Sequence, residues 1–117
     1  MRSSGKKVNQ ILARRTERTL AQAIAEIKSP KEADTFLREF FTKSEHETFS
    51  KRLAIAYWLK KGRSYKNIKD NLKVSSATIA HVQEILDKDG IKLALKKLEA
   101  DEWASLWSKK IKKFVNP

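Results

Sequence analysis

The sequence predicts an all-α fold of six or seven helices, and three observations carry that expectation. Across 117 residues there are only three Gly and two Pro, so little breaks a helix. Ala, Leu, Ile, Lys and Glu, all compatible with helices, dominate the composition. Apolar residues recur at three- and four-residue steps in segment after segment, and no stretch shows the strict alternation of a half-buried strand.

Taken in order, Met1 to Lys7 is polar and basic and is expected to be a flexible N-terminus. Residues 8–117 are expected to form a single domain, since a chain of this length builds one modest core. From Val8 an amphipathic helix carries Val8, Ile11, Leu12, Leu20, Ile24 and Ile27 on one face and Arg14, Arg15 and Arg18 on the other. Ser29-Pro30-Lys31-Glu32 combines an N-cap, a Pro at the first helical position and a Glu three residues after the cap. The helix it opens is expected to bury Phe36, Leu37, Phe40 and Phe41. Ser44-Glu45-His46-Glu47 repeats the capping pattern and opens a longer helix through Phe49, Leu53, Ile55, Ala56, Trp58 and Leu59, closed by Gly62.

The next stretch, RSYKNIKDNLKVSSATIAHVQEIL, reads as a helix-turn-helix over about residues 64–88. A short helix reaches a tight turn at Lys73-Val74-Ser75 and a second helix follows, ending near Asp89-Gly90. Ile68, Leu72, Val74, Ile79 and Val82 fall where two crossed helices must pack. A further stripe of Ile91, Ala94, Leu95 and Leu98 slips at Ala100-Asp101, so Asp101 is expected to cap a last helix bearing Trp103, Leu106, Trp107, Ile111 and Phe114.

The chemistry points to a polyanion partner. The formal net charge is +12, which favours nucleic acid, with an anionic membrane surface second and a merely solvated surface as the bland alternative. Small side chains at the start of the second motif helix let it sit deep in a major groove, where hydroxyls and methyls meet base edges. Double-stranded DNA is therefore the expected partner. The expected contacts are Tyr65, Lys66 and Lys69 from the first motif helix and Ser75, Ser76, Ala77, Thr78, Ala80 and His81 from the turn and second helix. Ser75 is expected to cap the helix first and meet phosphate second. For His81, contact with DNA, a place in a ligand pocket and plain exposure stay open. Glu84 and Asp87 would repel the backbone, which confines contact to the first two turns. Arg14, Arg15 and Arg18 offer a second basic arm, and Lys109, Lys110, Lys112 and Lys113 either track phosphates or complement a helix dipole.

Other classes find little support. No Cys means no disulfide, thiolate metal site or Cys nucleophile, and His46, flanked by Glu45 and Glu47, has no second ligand to suggest a metal. There is no phosphate-binding Gly loop and no nucleophile–base spacing, so neither an enzyme nor a cofactor is expected. No apolar run nears the roughly 20 residues that span a bilayer, and the N-terminus lacks a signal-peptide apolar core. A cytoplasmic, nucleoid-associated location is expected.

From Leu37 to Leu98, roughly half of the chain, the sequence resembles the tryptophan-repressor-like family. The marks are a Leu/Phe-rich helix, then Thr-x-x-Glu, an Arg inside a long helix, Leu-x-x-Gly, and the motif with Ala-Thr-Ile. The resemblance implies an intertwined homodimer placing two recognition helices in successive major grooves, and a transcriptional regulator, usually a repressor. It also implies that Thr42, Arg52 and His81 occupy the positions of the family's effector contacts, His81 standing where an arginine covers the indole. Val82 stands where a glycine leaves room for the ligand, and its branched side chain intrudes there. The expectation is a remnant pocket, formed by Thr42, Arg52, His81 and Val82, that does not take tryptophan, with any other small-molecule effector unknown. The alternative function is a helical interaction module that binds acidic protein or RNA without sequence preference.

Overall fold

The computed structural model describes residues 9–115, with side chains described as far as Glu102. Its order is α1 (Gln10–Glu26), α2 (Pro30–Phe40), α3 (Lys43–Lys60), α4 (Tyr65–Leu72), α5 (Ser76–Ile85) and α6 (Asp89–Val115), with no strand among the described residues. The all-α expectation holds, with six helices among the described residues. The chain divides within α3 into two compact units, Met1–His46 and Glu47–Pro117.

In the first unit, α1 starts from Asn9, whose side chain accepts the Ile11 N–H at 2.8 Å. Val8 lies outside the described residues. α2 starts as its sequence predicts, with Pro30 at the first position and Ser29 Oγ accepting the Glu32 N–H at 3.2 Å. Neither helix holds a buried residue. Phe36 stacks on Phe40 with ring centroids 5.0 Å apart, yet Phe40 is 57% exposed, which corrects the expectation that it is buried. A second correction concerns the start of α3. Its cap is Thr42, two residues before the predicted Ser44. Thr42 Oγ1 accepts the Glu45 N–H at 3.1 Å while Glu45 takes the Thr42 N–H at 2.9 Å. This reciprocal box satisfies two donors at once, and the Thr42 backbone bond is the first cause that holds the Glu45 carboxyl below its ordinary range. Ser44 is thereby left inside the first turn, and Glu47 pairs with Lys51 instead, at 3.0 Å.

The second unit holds the core. Ile55 and Ala56 of α3, Ile68 of α4, Ile79 and Val82 of α5 and Leu95 of α6 are buried together, with Trp58, Leu72, Val74 and Ile91 packed against them. Each fully buried Ile contributes about 1.5–3 kcal/mol relative to exposure. α3 ends as expected at Gly62, whose φ of 83° lets its N–H reach Leu59 O while Arg63 N–H reaches Trp58 O. The Arg63 guanidinium then lies 4.3 Å from the centroid of the Trp58 ring, which ties the α3–α4 turn to the core. α4 ends on Lys73, with φ 56° and ψ 53°, a left-handed conformation that glycine adopts without strain.

Two boundaries differ from the sequence reading. α5 stops at Ile85, not near Asp89, because Leu86 N–H and Lys88 N–H close short bonds onto Gln83 O and Ile85 O. Asp89 instead opens α6, where its charge suits the positive end of the helix dipole. α6 then runs unbroken through Asp101, so no separate last helix exists. No Gly or Pro interrupts the chain from Ile91 to Val115, and Glu102 anchors the place where the apolar stripe slips. The Tyr57 hydroxyl donates to Glu102, and Lys61 Nζ lies 2.9 Å from the same carboxylate and 5.3 Å from the centre of the Tyr57 ring. Trp103, Leu106, Trp107, Ile111 and Phe114, like Lys109, Lys110, Lys112 and Lys113, have side chains outside the described residues.

Lys73→Gly should raise stability by up to about 1 kcal/mol, read as a higher urea midpoint at unchanged slope, whereas Lys73→Val should lower it. The clamp on α6 should also show in the pH dependence of unfolding. The Tyr57 hydrogen bond, followed by Lys61, holds the Glu102 carboxyl below its ordinary range. Its stabilisation is therefore present above the ordinary carboxylate range and fades as pH falls through the lowered value. The Glu102 hydrogen bond raises both Tyr57 and Lys61, so theirs is present below their ordinary alkaline ranges and fades as pH rises through the raised values. Glu102→Gln should flatten both limbs in denaturant melts between acid and alkaline pH; unchanged limbs would show that the clamp carries no stability.

Candidate nucleic-acid interface

The interface is built from the two motif helices. Ser64 caps α4 by accepting the Asn67 N–H at 3.1 Å, and Arg63 Nη1 donates to Asn67 Oδ1 at 3.5 Å. This sets Tyr65, Lys66 and Lys69 on α4, all three exposed. Ile68, between the lysines in sequence, is fully buried and anchors the helix. Neither Lys66 nor Lys69 is within ion-pair distance of a described acidic group.

The turn then sets the start of α5. Ser75 Oγ accepts the Thr78 N–H at 3.1 Å and lies 2.9 Å from Thr78 Oγ1. The expected cap is thus present. Ile79 and Val82, three apart and therefore on one face, are buried at 0% and 3% exposure. Helical geometry puts Ala77 opposite them, with Ala80 and His81 flanking it and Ser76 and Thr78 at the edges. All five are exposed. With side chains this small the α5 backbone can approach a surface closely, and the two hydroxyls and two Ala methyls are the groups it presents. His81 Nδ1 lies 3.9 Å from Glu84 Oε2 on the solvent side.

Arg52, His81 and Val82 do come together. With Thr48, Thr78 and Ile85 they line an open cleft of about 440 Å³ between α3 and α5. Val82 enters it from the core, so its side chain occupies the floor rather than leaving space. Thr42 is not among the lining residues; its hydroxyl is spent on the α3 cap. Thr48 and Ile85 were not singled out from the sequence. The signal for both was helical spacing, since Thr48 lies one turn before Arg52 and Ile85 one turn after His81. His46 is half-buried rather than exposed, and among the described residues no group of three acidic, His or Cys side chains is placed to hold a metal.

A family model described as Trp repressor protein matches residues 16–99. The chain belongs to the Trp repressor protein family. The match starts within α1, well before the residues from Leu37 onward that carry the resemblance in the sequence. Searches of curated proteins and of solved structures gave no match. Family membership makes the chain a DNA-binding transcriptional regulator and places it among non-enzymatic proteins. No described helix is long and apolar enough to cross a membrane.

Proposed function

We propose that this Trp repressor family member is a sequence-specific regulator, acting as a homodimer to repress transcription without responding to tryptophan. The observation that carries the reading is the outward row on α5: Ser76, Ala77, Thr78, Ala80 and His81 are exposed directly behind a buried Ile79–Val82 anchor. In this reading that row enters a major groove and Ser76, Ala77 and Thr78 choose bases, while Tyr65, Lys66, Lys69 and Ser75 hold phosphates.

Dimer formation is supported by the apolar surface a single chain leaves in water. Ile11, Leu12, Leu20 and Ile24 of α1 are 42–67% exposed, and Phe40, Phe49 and Leu53 are 40–57% exposed. A second copy covering these faces removes that cost and supplies the second recognition helix that a palindromic site needs. The loss of tryptophan response is supported by Val82, which is packed into the core where the ligand's ring would require room.

Selection from a randomised duplex library at near-physiological salt tests the reading. It should enrich a palindrome whose half-sites lie about one helical turn apart. Retention without enrichment would favour a module that binds acidic protein or RNA by charge alone. Thr78→Glu should abolish site selection. Lys66→Ala should instead weaken all sequences alike and reduce the salt dependence of log K by about one unit. Identical behaviour of the two variants would refute the division of labour. Calorimetry with L-tryptophan should give no heat of binding; micromolar affinity would overturn the effector-independent reading.

A further inference from the structure

Two hydroxyls at the start of α5 form a unit that the capping role alone does not use up. Ser75 Oγ already accepts the Thr78 N–H at 3.1 Å, which is all that an N-cap requires. The same oxygen also lies 2.9 Å from Thr78 Oγ1, with either atom able to donate. A serine oxygen has one hydrogen and two acceptor sites, so after taking the amide it retains one of each for Thr78. Thr78 is exposed, so its hydroxyl keeps further hydrogen-bonding capacity directed away from Ser75.

From this geometry we infer that Ser75 is a positioning residue for base recognition, holding Thr78 in one side-chain rotamer before DNA arrives. The inference rests on the reading that the outward row of α5 meets base edges. A threonine in a helix divides between side-chain wells, because its hydroxyl can also bond to carbonyls of the preceding turn. The bond to Ser75 selects the well that turns Oγ1 back along the helix and leaves the methyl in a defined direction. Thr78 then presents one arrangement of hydroxyl and methyl to a base pair. Without the bond, only a fraction of molecules carry the binding-competent rotamer, and discrimination falls by that fraction. Two populated wells in a helix set the scale at about two-fold.

The capping and positioning roles of Ser75 separate experimentally because glycine is nearly as good an N-cap as serine, whereas alanine is not. Ser75→Gly therefore retains a near-native melting temperature while removing the oxygen that holds Thr78. Loss of the Ser75 phosphate contact would weaken all sequences alike rather than change preference at one pair. Four variants, Ser75→Gly, Ser75→Thr, Thr78→Val and the double variant S75G/T78V, are compared with the native chain by selection from the same randomised duplex library. The readout is base preference at each position. Thr78→Val, which keeps the shape and removes the hydroxyl, identifies the base pair that Thr78 reads. Ser75→Gly should relax preference at that same pair by about two-fold, Ser75→Thr should keep it, and S75G should add nothing when T78V is present.

Native preference at that pair in Ser75→Gly would overturn the inference while leaving the proposed function intact. So would an equal loss whether or not the Thr78 hydroxyl is present, because Ser75 would then act through the backbone. If Thr78→Val relaxes no base pair, Thr78 is not a reader and the inference falls. If the native chain itself enriches no sequence, the reading of α5 as a base-recognition helix fails, and this inference fails with it.

Discussion

The burial of Ile68, Ile79 and Val82 against Ile55, Ala56 and Leu95 is the contact on which the rest of the second unit depends, since it fixes which side of α5 is left for a partner. A ten-residue helix is marginal in water by itself, so α5 owes its existence and its orientation to this packing. Once Ile79 and Val82 point inward, the 100° step of the helix places Ala77, Ala80 and His81 outward without further instruction. The two serine caps, Ser64 and Ser75, then determine where each motif helix begins. Lys73 accepts a left-handed backbone so that the turn between them is short enough for the helices to cross. Strain at one residue is tolerated because several buried side chains determine the geometry around it.

Charge is arranged around this core in two different ways. Lys66 and Lys69 are exposed and pair with no described carboxylate. Lys61, in contrast, is committed to Glu102 and to the Tyr57 ring, and Arg63 is committed to Trp58. The basic side chains of this stretch are thus not equivalent: Lys61 and Arg63 are tied to neighbouring groups, whereas Lys66 and Lys69 pair with no described carboxylate. The overall +12 charge gives no hint of that division.

The exposed row at the start of α5, Ser76, Ala77, Thr78 and Ala80, is made of small side chains. They present little bulk, so a partner can approach the α5 backbone closely and meets short hydroxyls and methyls rather than long, flexible donors. Thr78 belongs both to this row and to the lining of the cleft that holds Arg52, His81 and Val82. The floor of that cleft is part of the hydrophobic core, which couples the position of α5 to the packing beneath it.

Much of this was legible in the residues alone. The all-α class, the Ser29-Pro30 start of α2, the Gly62 stop, the Lys73 turn, the Ser75 cap and the alternation of buried Ile79 and Val82 with an exposed row all follow from local rules of capping and helical period. What tertiary structure decided lay where two local signals competed or where no local signal exists. Thr42 displaced Ser44 as the α3 cap because only Thr42 gains a reciprocal bond from Glu45. α6 runs through Asp101, and Glu102 meets Tyr57 of α3 and Lys61 of the turn after it, 45 and 41 residues away in sequence. The cleft beside α5 needed Thr48 and Arg52 from a different helix. Periodicity reports which side of a helix is apolar. It carries no information about which distant side chain meets that helix, because such contacts depend on how whole helices pack.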